Sequence, residues 1–305
     1  LTVVLPNGEI IKLGKSVCKT SSGYSLLHLM IGSEGTLGVI TELTLKLIPK
    51  PEKDVTLILP FHDIATAIAA VPSIKLANLD PQSIEFAERD VIDSSAEFTG
   101  NHIFPTVVNG KEAGAYILVT LVGNNEQELL PKMDRLGEVA EKAGAYDTLV
   151  VWTDTLKKDV WAARSAFLTV IEAQSKLLDE MDVVVPVDKI PAFLIYIRSL
   201  GEENGIRIRN FGHAGDGNLH IYVCRDDLKD EEWKSKVTSV MDQLYDNARA
   251  LHGEVSGEHG IGHAKRQFLL ESVGEKQVDL MRGIKSIFDP EGILNPDKVF
   301  RLDGD

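Results

Sequence analysis

The sequence predicts an α+β fold in which helices pack on a sheet. Along the middle of the chain, short apolar runs rich in β-branched residues alternate with stretches whose apolar residues recur at helical spacing. The length of 305 residues indicates about two domains and is sufficient for a large core. The apolar fraction of 44% and the charged fraction of 26% are typical of a globular protein.

A hairpin and a glycine-rich loop are expected in the first 51 residues. Asn7-Gly8 lies between two apolar runs, a pattern typical of a β-hairpin turn. A short apolar helix (26–31) then leads to Gly32-Ser-Glu-Gly-Thr-Leu-Gly-Val-Ile-Thr41 and an alternating run of leucines. These glycines would let the main chain approach a phosphate or a flat ring, but the glycine spacing alone favours the simpler interpretation of a tight turn. Because an isolated hairpin is only marginally stable, we expect an upstream domain before Leu1.

Strands and helices alternate through the rest of the chain. Residues 101–114 lack periodicity and are expected to form an exposed loop. A last long helix has apolar residues at helical spacing between Trp233 and Leu251, and the segment 288–298 contains two prolines and a glycine that indicate a fixed turn. The expected strands are 55–60, 83–87, 116–122, 149–152, 182–186 and 206–211, and the expected helices are 64–74, 129–144, 161–178 and one from 188.

Five of the eight histidines lie between His213 and His263. Strand-like residues precede His213 and follow His220, so a hairpin would place both imidazoles at its two shoulders. Two imidazoles and one carboxylate, for which Glu258 is the candidate, are a common ligand set for a divalent transition metal. Hydrogen-bonded surface histidines explain the same residues, and the sequence alone does not decide between the two interpretations.

Glu258 and His259 are adjacent, so on a regular strand they would point to opposite faces. Gly257 and Gly260 flank the pair and permit an irregular backbone, in which one side chain binds metal and the other faces a substrate. His259 would then be a general base, because histidine titrates near neutral pH. His263 is expected to support the site or to lie at the surface.

Arg164 follows Trp161-Ala-Ala on an expected helix, and its neighbours are small. A planar guanidinium is the preferred bidentate partner for a carboxylate. From the residues alone, however, a solvated helical charge is the simpler interpretation.

Charge and cysteine content exclude several classes. With 46 acidic and 32 basic residues the net charge is −14, which disfavours nucleic acid or anionic lipid as a partner. No apolar run approaches the roughly 18 residues of a membrane span. Cys18 and Cys224 are far apart and in no Cys-x-x-Cys motif, which indicates no disulfide framework and a reducing cytoplasmic location.

Five segments in order together resemble the FAD-linked oxidases that have the vanillyl-alcohol-oxidase type of flavin domain. The branch that they resemble contains D-lactate dehydrogenase, the glycolate oxidase large subunit and D-2-hydroxyglutarate dehydrogenase. The resemblance implies an antiparallel sheet covered by helices. The segments are Gly32-Ser-Glu-Gly-Thr-Leu-Gly-Val-Ile-Thr41, Trp161-Ala-Ala-Arg164, Gly212-His-Ala-Gly-Asp-Gly-Asn-Leu-His220, Gly257-Glu-His-Gly-Ile-Gly262 and Gly292-Ile-Leu-Asn-Pro296.

The resemblance also implies a domain organisation. Residues 1–51 would be the C-terminal part of the FAD-binding domain, 52–285 the substrate-binding cap domain, and 286–305 a segment that returns to the flavin. The family's N-terminal glycine-rich pyrophosphate loop is not in this sequence, so the chain alone is expected to retain no FAD and to be inactive. The residues implied to contact FAD are Ser33, Glu34, Gly35, Thr36, Gly38, Ile40 and Asn295.

The implied reaction is oxidation of a small D-2-hydroxyacid by hydride transfer to flavin. His213, His220 and Glu258 would bind Zn, Fe or Mn, His259 would take the hydroxyl proton, and Arg164 would clamp the substrate carboxylate. D-2-hydroxyglutarate members tend to carry a lysine near the position of Glu180, so Glu180 and Leu168 favour D-lactate or glycolate. The electron acceptor would be an electron-transfer flavoprotein, a quinone or an iron–sulfur subunit.

Three other functions remain possible from the sequence. One is a flavin-free subunit that binds substrate and metal and pairs with a separate flavin-binding chain. Another is a metal-binding module without redox activity, in which Arg164 and Asn295 would have no role. The third is a metal hydrolase with an activated water, against which the glycine-rich loop at 32–41 weighs.

Overall fold

The computed structural model describes residues 1–302. The strands are β1 (Thr2–Val4), β2 (Ile10–Lys12), β3 (Val39–Glu42), β4 (Lys53–Phe61), β5 (Ser83–Glu88), β6 (Val107–Val108), β7 (Lys111–Glu112), β8 (Ala115–Gly123), β9 (Leu149–Val151), β10 (Leu178–Val184), β11 (Arg207–His213) and β12 (Asn218–Cys224). The helices are α1 (Leu26–Met30), α2 (Ile64–Leu76), α3 (Arg89–Thr99), α4 (Glu126–Lys142), α5 (Asp154–Ser165), α6 (Phe167–Gln174), α7 (Ile190–Asn204), α8 (Asp230–Ala250), α9 (Arg266–Val273) and α10 (Glu275–Phe288), with a 3-10 turn at Val187–Lys189.

Two compact units make up the chain. The larger unit is Lys50–Gly257, and the smaller unit combines Leu1–Pro49 with Glu258–Asp305. Residues 258–285 therefore fold with the N-terminal segment. The assignment of flavin binding to 1–51 and 286–305, and of substrate binding to 52–285, stays a prediction.

The larger unit is built on an antiparallel sheet of seven strands in the order β10-β12-β11-β5-β8-β4-β9. Consecutive residues of β4 and β8 are buried, so both faces of the central strands are covered. On one face, α3, α5 and α6 add Val91, Val160 and Phe167 to an apolar cluster that includes Phe211 and Tyr222. Helices α2, α4, α7 and α8 contact the sheet without joining that cluster and cover the other face.

Local signals fix where three of these helices begin. The side chains of Asp63, Asn125 and Thr153 accept hydrogen bonds from the backbone amides of Thr66, Glu128 and Leu156. Each satisfies an amide that has no partner inside its helix, which typically stabilises the helix by about 1 kcal/mol. Side-chain capping therefore positions the first turns of α2, α4 and α5 against the sheet.

The smaller unit has a three-stranded antiparallel sheet in the order β2-β1-β3. Val3, Met30 and Leu37 form its apolar centre, against which α10 packs. Lys285 on α10 is 2% exposed and donates hydrogen bonds to Asp289 Oδ2 at 2.5 Å and to two backbone carbonyls at 2.9 Å. These carbonyls belong to Thr36 and Leu294, so one buried cation holds both the glycine-rich loop and the C-terminal segment.

Several elements differ from the sequence-based expectation. The expected helix at 161–178 is two helices, α5 and α6, which are separated at Ala166, and Leu178 already belongs to β10. Helix α3 was not expected because the segment is rich in charged residues and only three of its eleven residues are buried. The segment 101–114 is not a fully exposed loop, since Phe104 and Val108 are buried. None of the described helices is both long and apolar enough to cross a bilayer.

Candidate active site

Four adjacent strands of the larger sheet place two histidines and two carboxylates in neighbouring positions on one face. Asp182 on β10 lies opposite His220 on β12, and His213 on β11 lies opposite Glu85 on β5. The expected hairpin is formed by β11 and β12. Since directly opposed residues share a face, the two imidazoles come together, with ring centroids 5.5 Å apart.

Glu85 connects His213 to Arg164. Its Oε1 lies 2.7 Å from His213 Nδ1, and its Oε2 accepts hydrogen bonds from Arg164 Nη2 at 2.8 Å and Nε at 3.1 Å. Burial by itself would raise the pKa of Glu85, but the hydrogen bond from His213 and the Arg164 charge bring that pKa below its ordinary value. Glu85 is therefore an anion at neutral pH. Because Nδ1 of His213 faces this carboxylate, Nε2 is the ring atom through which His213 would bind a metal.

Arg164 is not a solvated charge. Its side chain is 13% exposed, and its guanidinium carbon lies 4.7 Å from the ring centroid of Phe211 and 5.4 Å from that of Phe167. Two of the five guanidinium N–H groups donate to Glu85, and Nη1 makes no hydrogen bond within residues 1–302. The Nη1 side of the guanidinium therefore keeps N–H donors for a second carboxylate.

Asp182 anchors the chain just before Glu258. It is fully buried, and its Oδ1 accepts a hydrogen bond from Asn218 Nδ2 at 2.7 Å. Its Oδ2 accepts from Ser256 Oγ at 2.8 Å and from the Gly257 amide at 3.0 Å. The side-chain amide of Asn218 packs closely on Gly257, so a Cβ atom on residue 257 would overlap that amide. The position of Gly257, to which Glu258 is covalently attached, is thus defined within the larger unit.

Glu258 and His259 open the second segment of the smaller unit. Both side chains are about half exposed, with His259 Nε2 lying 3.9 Å from Glu258 Oε1. The backbone that follows is held by Glu34, whose two carboxylate oxygens accept hydrogen bonds from the amides of Ile261 and Gly262 at 2.7 Å each. The roles of Glu258 as metal ligand and of His259 as base stay predictions.

A cleft of about 1420 Å³ in the smaller unit includes most of the residues expected at the flavin. Glu34 and Gly35 adopt positive φ values of 51° and 70°, and Asn295 Nδ2 donates to the Glu34 carbonyl at 2.6 Å. A Cβ at position 35 would come within 2.7 Å of that amide nitrogen, so only glycine fits there. Such a glycine-lined wall fits the close approach of a flat ring. The expected flavin residues that line the cleft are Ser33, Glu34, Gly35, Gly38, Ile40 and Asn295.

Thr36 does not line this cleft. It is buried, and its hydroxyl donates to the Ser33 carbonyl at 2.7 Å. Its contact with FAD stays a prediction, but within the smaller unit it stabilises the turn that carries Glu34 and Gly35.

Comparison with known proteins identifies the family. Residues 50–299 match the model of the FAD linked oxidases, C-terminal domain. The chain belongs to this family.

Relatives within this FAD-linked oxidase family fall in the predicted branch. The chain is 52% identical to D-lactate dehydrogenase of Anaerostipes hadrus over 98% of the chain and 63% of that protein. It is 33% identical to glycolate oxidase subunit GlcD of Bacillus subtilis over 99% of the chain and 63% of that protein. It is 28% identical to D-2-hydroxyglutarate dehydrogenase of Stutzerimonas stutzeri over 98% of the chain and 64% of that protein. The chain thus spans just under two thirds of the length of these relatives.

Solved structures show the same fold. A substrate-bound p-cresol methylhydroxylase superposes with a TM-score of 0.76 at 16% identity, covering 100% of the chain and 65% of that protein. A 4-ethylphenol oxidase from Gulosibacter chungangensis gives 0.71 at 14% identity, covering 98% and 65%. The predicted family and the predicted helix-covered antiparallel sheet are confirmed.

Sequence reasoning missed Glu85 and Asp182. A carboxylate inside an otherwise buried strand is a usable signal, because a buried charge needs a partner. Glu85 lies in Ser83–Glu88 between buried neighbours, and Asp182 lies next to Met181 and Val183. The signal finds the residues but not their partners, which depend on strand register.

Proposed function

We propose that the protein containing this chain oxidises a small D-2-hydroxyacid, D-lactate or glycolate, to the 2-oxoacid with FAD as hydride acceptor. The observation that carries the proposal is the shared carboxylate of Glu85, which binds a candidate metal ligand, His213, and a candidate substrate clamp, Arg164. The 52% identity to a D-lactate dehydrogenase supports the choice of substrate class.

The proposed metal ligands are His213, His220 and Glu258, a set that suits Zn, Fe or Mn. His213 fits this role because a carboxylate occupies its Nδ1, as is usual for metal-binding histidines. Imidazole centroids 5.5 Å apart are compatible with two nitrogens about 3–4 Å apart on one ion. Glu258 is the proposed third ligand because it supplies the carboxylate of the set, and it directly follows Gly257, whose amide donates to Asp182.

When bound, FAD supplies the hydride acceptor and the divalent ion supplies a Lewis acid for the substrate hydroxyl. Arg164 binds the substrate carboxylate through the N–H groups that Glu85 does not use. Phe167 and Phe211, which pack under the guanidinium, exclude water from that contact. His259 accepts the proton from the 2-hydroxyl. Burial raises the pKa of Tyr222, so its hydroxyl stays protonated and donates to Glu180.

The test uses the full-length protein with its flavin. Anaerobic addition of D-lactate or glycolate should bleach the oxidised flavin spectrum, and prior treatment with a chelator should abolish the bleaching until Zn²⁺, Fe²⁺ or Mn²⁺ is restored. A flavin that stays oxidised with every small D-2-hydroxyacid overturns the proposal. Reoxidation by an electron-transfer flavoprotein, a quinone or an iron–sulfur protein would then identify the class of electron acceptor.

A further inference from the structure

We propose that Glu85 is a positioning residue that couples metal binding to substrate binding. It fixes the ring orientation and protonation pattern of His213, and at the same time it sets the orientation of Arg164. This inference rests on the proposed function, since it gives Glu85 a role toward the metal and the substrate of that reaction.

Glu85 is held on a rigid element. Strand β5 is hydrogen-bonded on both sides, to β11 and to β8, and the Glu85 side chain is 6% exposed. Its two oxygens are divided between its partners, Oε1 to His213 and Oε2 to Arg164. A charge-assisted contact in such an environment is short and directional, so movement of either partner is restricted.

The chemistry of an anionic acceptor determines the state of His213. A carboxylate accepts a hydrogen bond but donates none, so Nδ1 must carry the proton and Nε2 carries the lone pair that a metal requires. The same contact holds the imidazole ring in one orientation, so Nε2 keeps a fixed direction toward an incoming ion. Without Glu85, the ring could adopt the other tautomer or rotate, and metal affinity would fall.

The second oxygen acts on Arg164. Glu85 binds the Nε and Nη2 edge of the guanidinium while Phe211 packs on its face. The guanidinium is therefore restrained in two directions, and its Nη1 edge keeps a defined direction for an incoming carboxylate. An ion pair that served only the fold would predict loss of stability without change in either binding property.

The decisive variant is Glu85→Gln in the full-length protein. An amide can accept from one partner only and turns an N–H toward the other. Zn²⁺ affinity, measured by competition with a chromophoric chelator, should weaken about 10- to 100-fold. The visible absorption of the Co²⁺-loaded protein should change because the His213 ligand is altered, and KM for D-lactate should rise.

The matched control is Glu88→Gln, three residues along the same strand. Glu88 pairs with Arg198 and accepts from Asn210, so the control also removes a carboxylate from an arginine pair. It contacts neither His213 nor Arg164, and Zn²⁺ affinity, the Co²⁺ spectrum and KM should match the wild-type values.

The outcomes separate this inference from the proposed function. If the wild-type protein binds no divalent metal, the proposed function fails. If the wild type binds Zn²⁺ and Glu85→Gln binds it equally well with an unchanged Co²⁺ spectrum, the role of Glu85 is overturned and the proposed function stands. Should Glu85→Gln fail to fold, Glu85→Asp keeps the charge but shortens the reach. It should weaken Zn²⁺ binding less than tenfold, and unchanged Zn²⁺ affinity in this variant also overturns the inference.

Discussion

Arg164 donates to Glu85 through Nε and Nη2, and its Nη1 group keeps N–H donors for a substrate carboxylate. Removal of the guanidinium should therefore weaken substrate binding. Arg164→Met should lower kcat/KM for D-lactate in the full-length protein, because a charge-assisted carboxylate contact is lost. The loss of transition-state stabilisation should be about 2–5 kcal/mol. Arg198→Met is the matched control, since Arg198 also pairs with a β5 carboxylate, Glu88. Steady-state kinetics that give unchanged kcat/KM for Arg164→Met contradict its assignment as the substrate clamp.

Glu258 and His259 are neighbours with different proposed roles, so two substitutions should separate them. Glu258→Gln should lose metal and activity together, because a neutral amide is a poor substitute for an anionic ligand. His259→Asn should keep its metal while losing the proton-transfer step, which typically contributes 10²- to 10⁴-fold to rate. Metal is measured by elemental analysis of the purified variants.

His263→Asn is the control for these two variants. His263 lies in the same glycine-rich loop, and its Nε2 is 3.2 Å from Arg266 Nη2. It should keep both metal and most activity. Equal loss of metal from Glu258→Gln and His259→Asn would mean that His259 is itself a ligand and that another residue is the base.

At the scale of elements, sequence periodicity located most strands but not their order. The proximity of His213 to His220 was predictable because a short turn joins their strands. The contact of His213 with Glu85 was not, because it joins positions 128 apart through the order β11-β5. Helix α3 was hidden because its buried face is only Val91, Ile92 and Ser95. Tertiary strand register, which local propensity does not encode, decides the contact of His213 with Glu85.

Helix α10 depends on a buried ion pair that the sequence does not reveal. Lys285→Met leaves the Asp289 carboxylate buried without its cation, and loss of one partner of such a pair typically costs about 3–5 kcal/mol. The free energy of unfolding, measured with urea, should fall by that order. Lys276→Met, at an exposed position on the same helix, should change it by less than about 0.5 kcal/mol. Equal effects of the two variants would show that the pair contributes no stability.

The same pair predicts a pH dependence. Burial would raise the pKa of Asp289, but hydrogen bonds from Lys285 and from two backbone amides bring it below its ordinary value of 3.8. A carboxyl with a lowered folded-state pKa contributes stability that is present above the unfolded value and is lost as pH falls through the folded value. The stability gap between wild type and Asp289→Asn should therefore be constant near neutral pH and shrink below pH 3.8. If the difference in free energy of unfolding between wild type and Asp289→Asn persists in stronger acid, the stabilising role of the ionised Asp289 carboxylate is contradicted.

At the scale of the whole molecule, the charge of the chain bears on the proposed choice of substrate. The net charge is −14, and Glu180, Asp182 and Glu85 share the sheet face that carries the histidines. Glu85 already offsets part of the Arg164 charge. Because a dianion would be repelled more strongly than a monoanion in this field, we expect a preference for D-lactate over D-2-hydroxyglutarate if the proposed function holds.

Glu180→Lys in the full-length protein tests this selectivity. Glu180 accepts from Tyr222 at 3.2 Å on the proposed substrate face, so reversing its charge should raise the ratio of kcat/KM for D-2-hydroxyglutarate over D-lactate about tenfold, or about 1.4 kcal/mol. Asp179→Lys is the control, because the adjacent residue points to the opposite face. It makes the same change of net charge, from −14 to −12. Equal shifts in both variants would assign selectivity to the overall field, and no shift in Glu180→Lys would mean that Glu180 does not face the substrate.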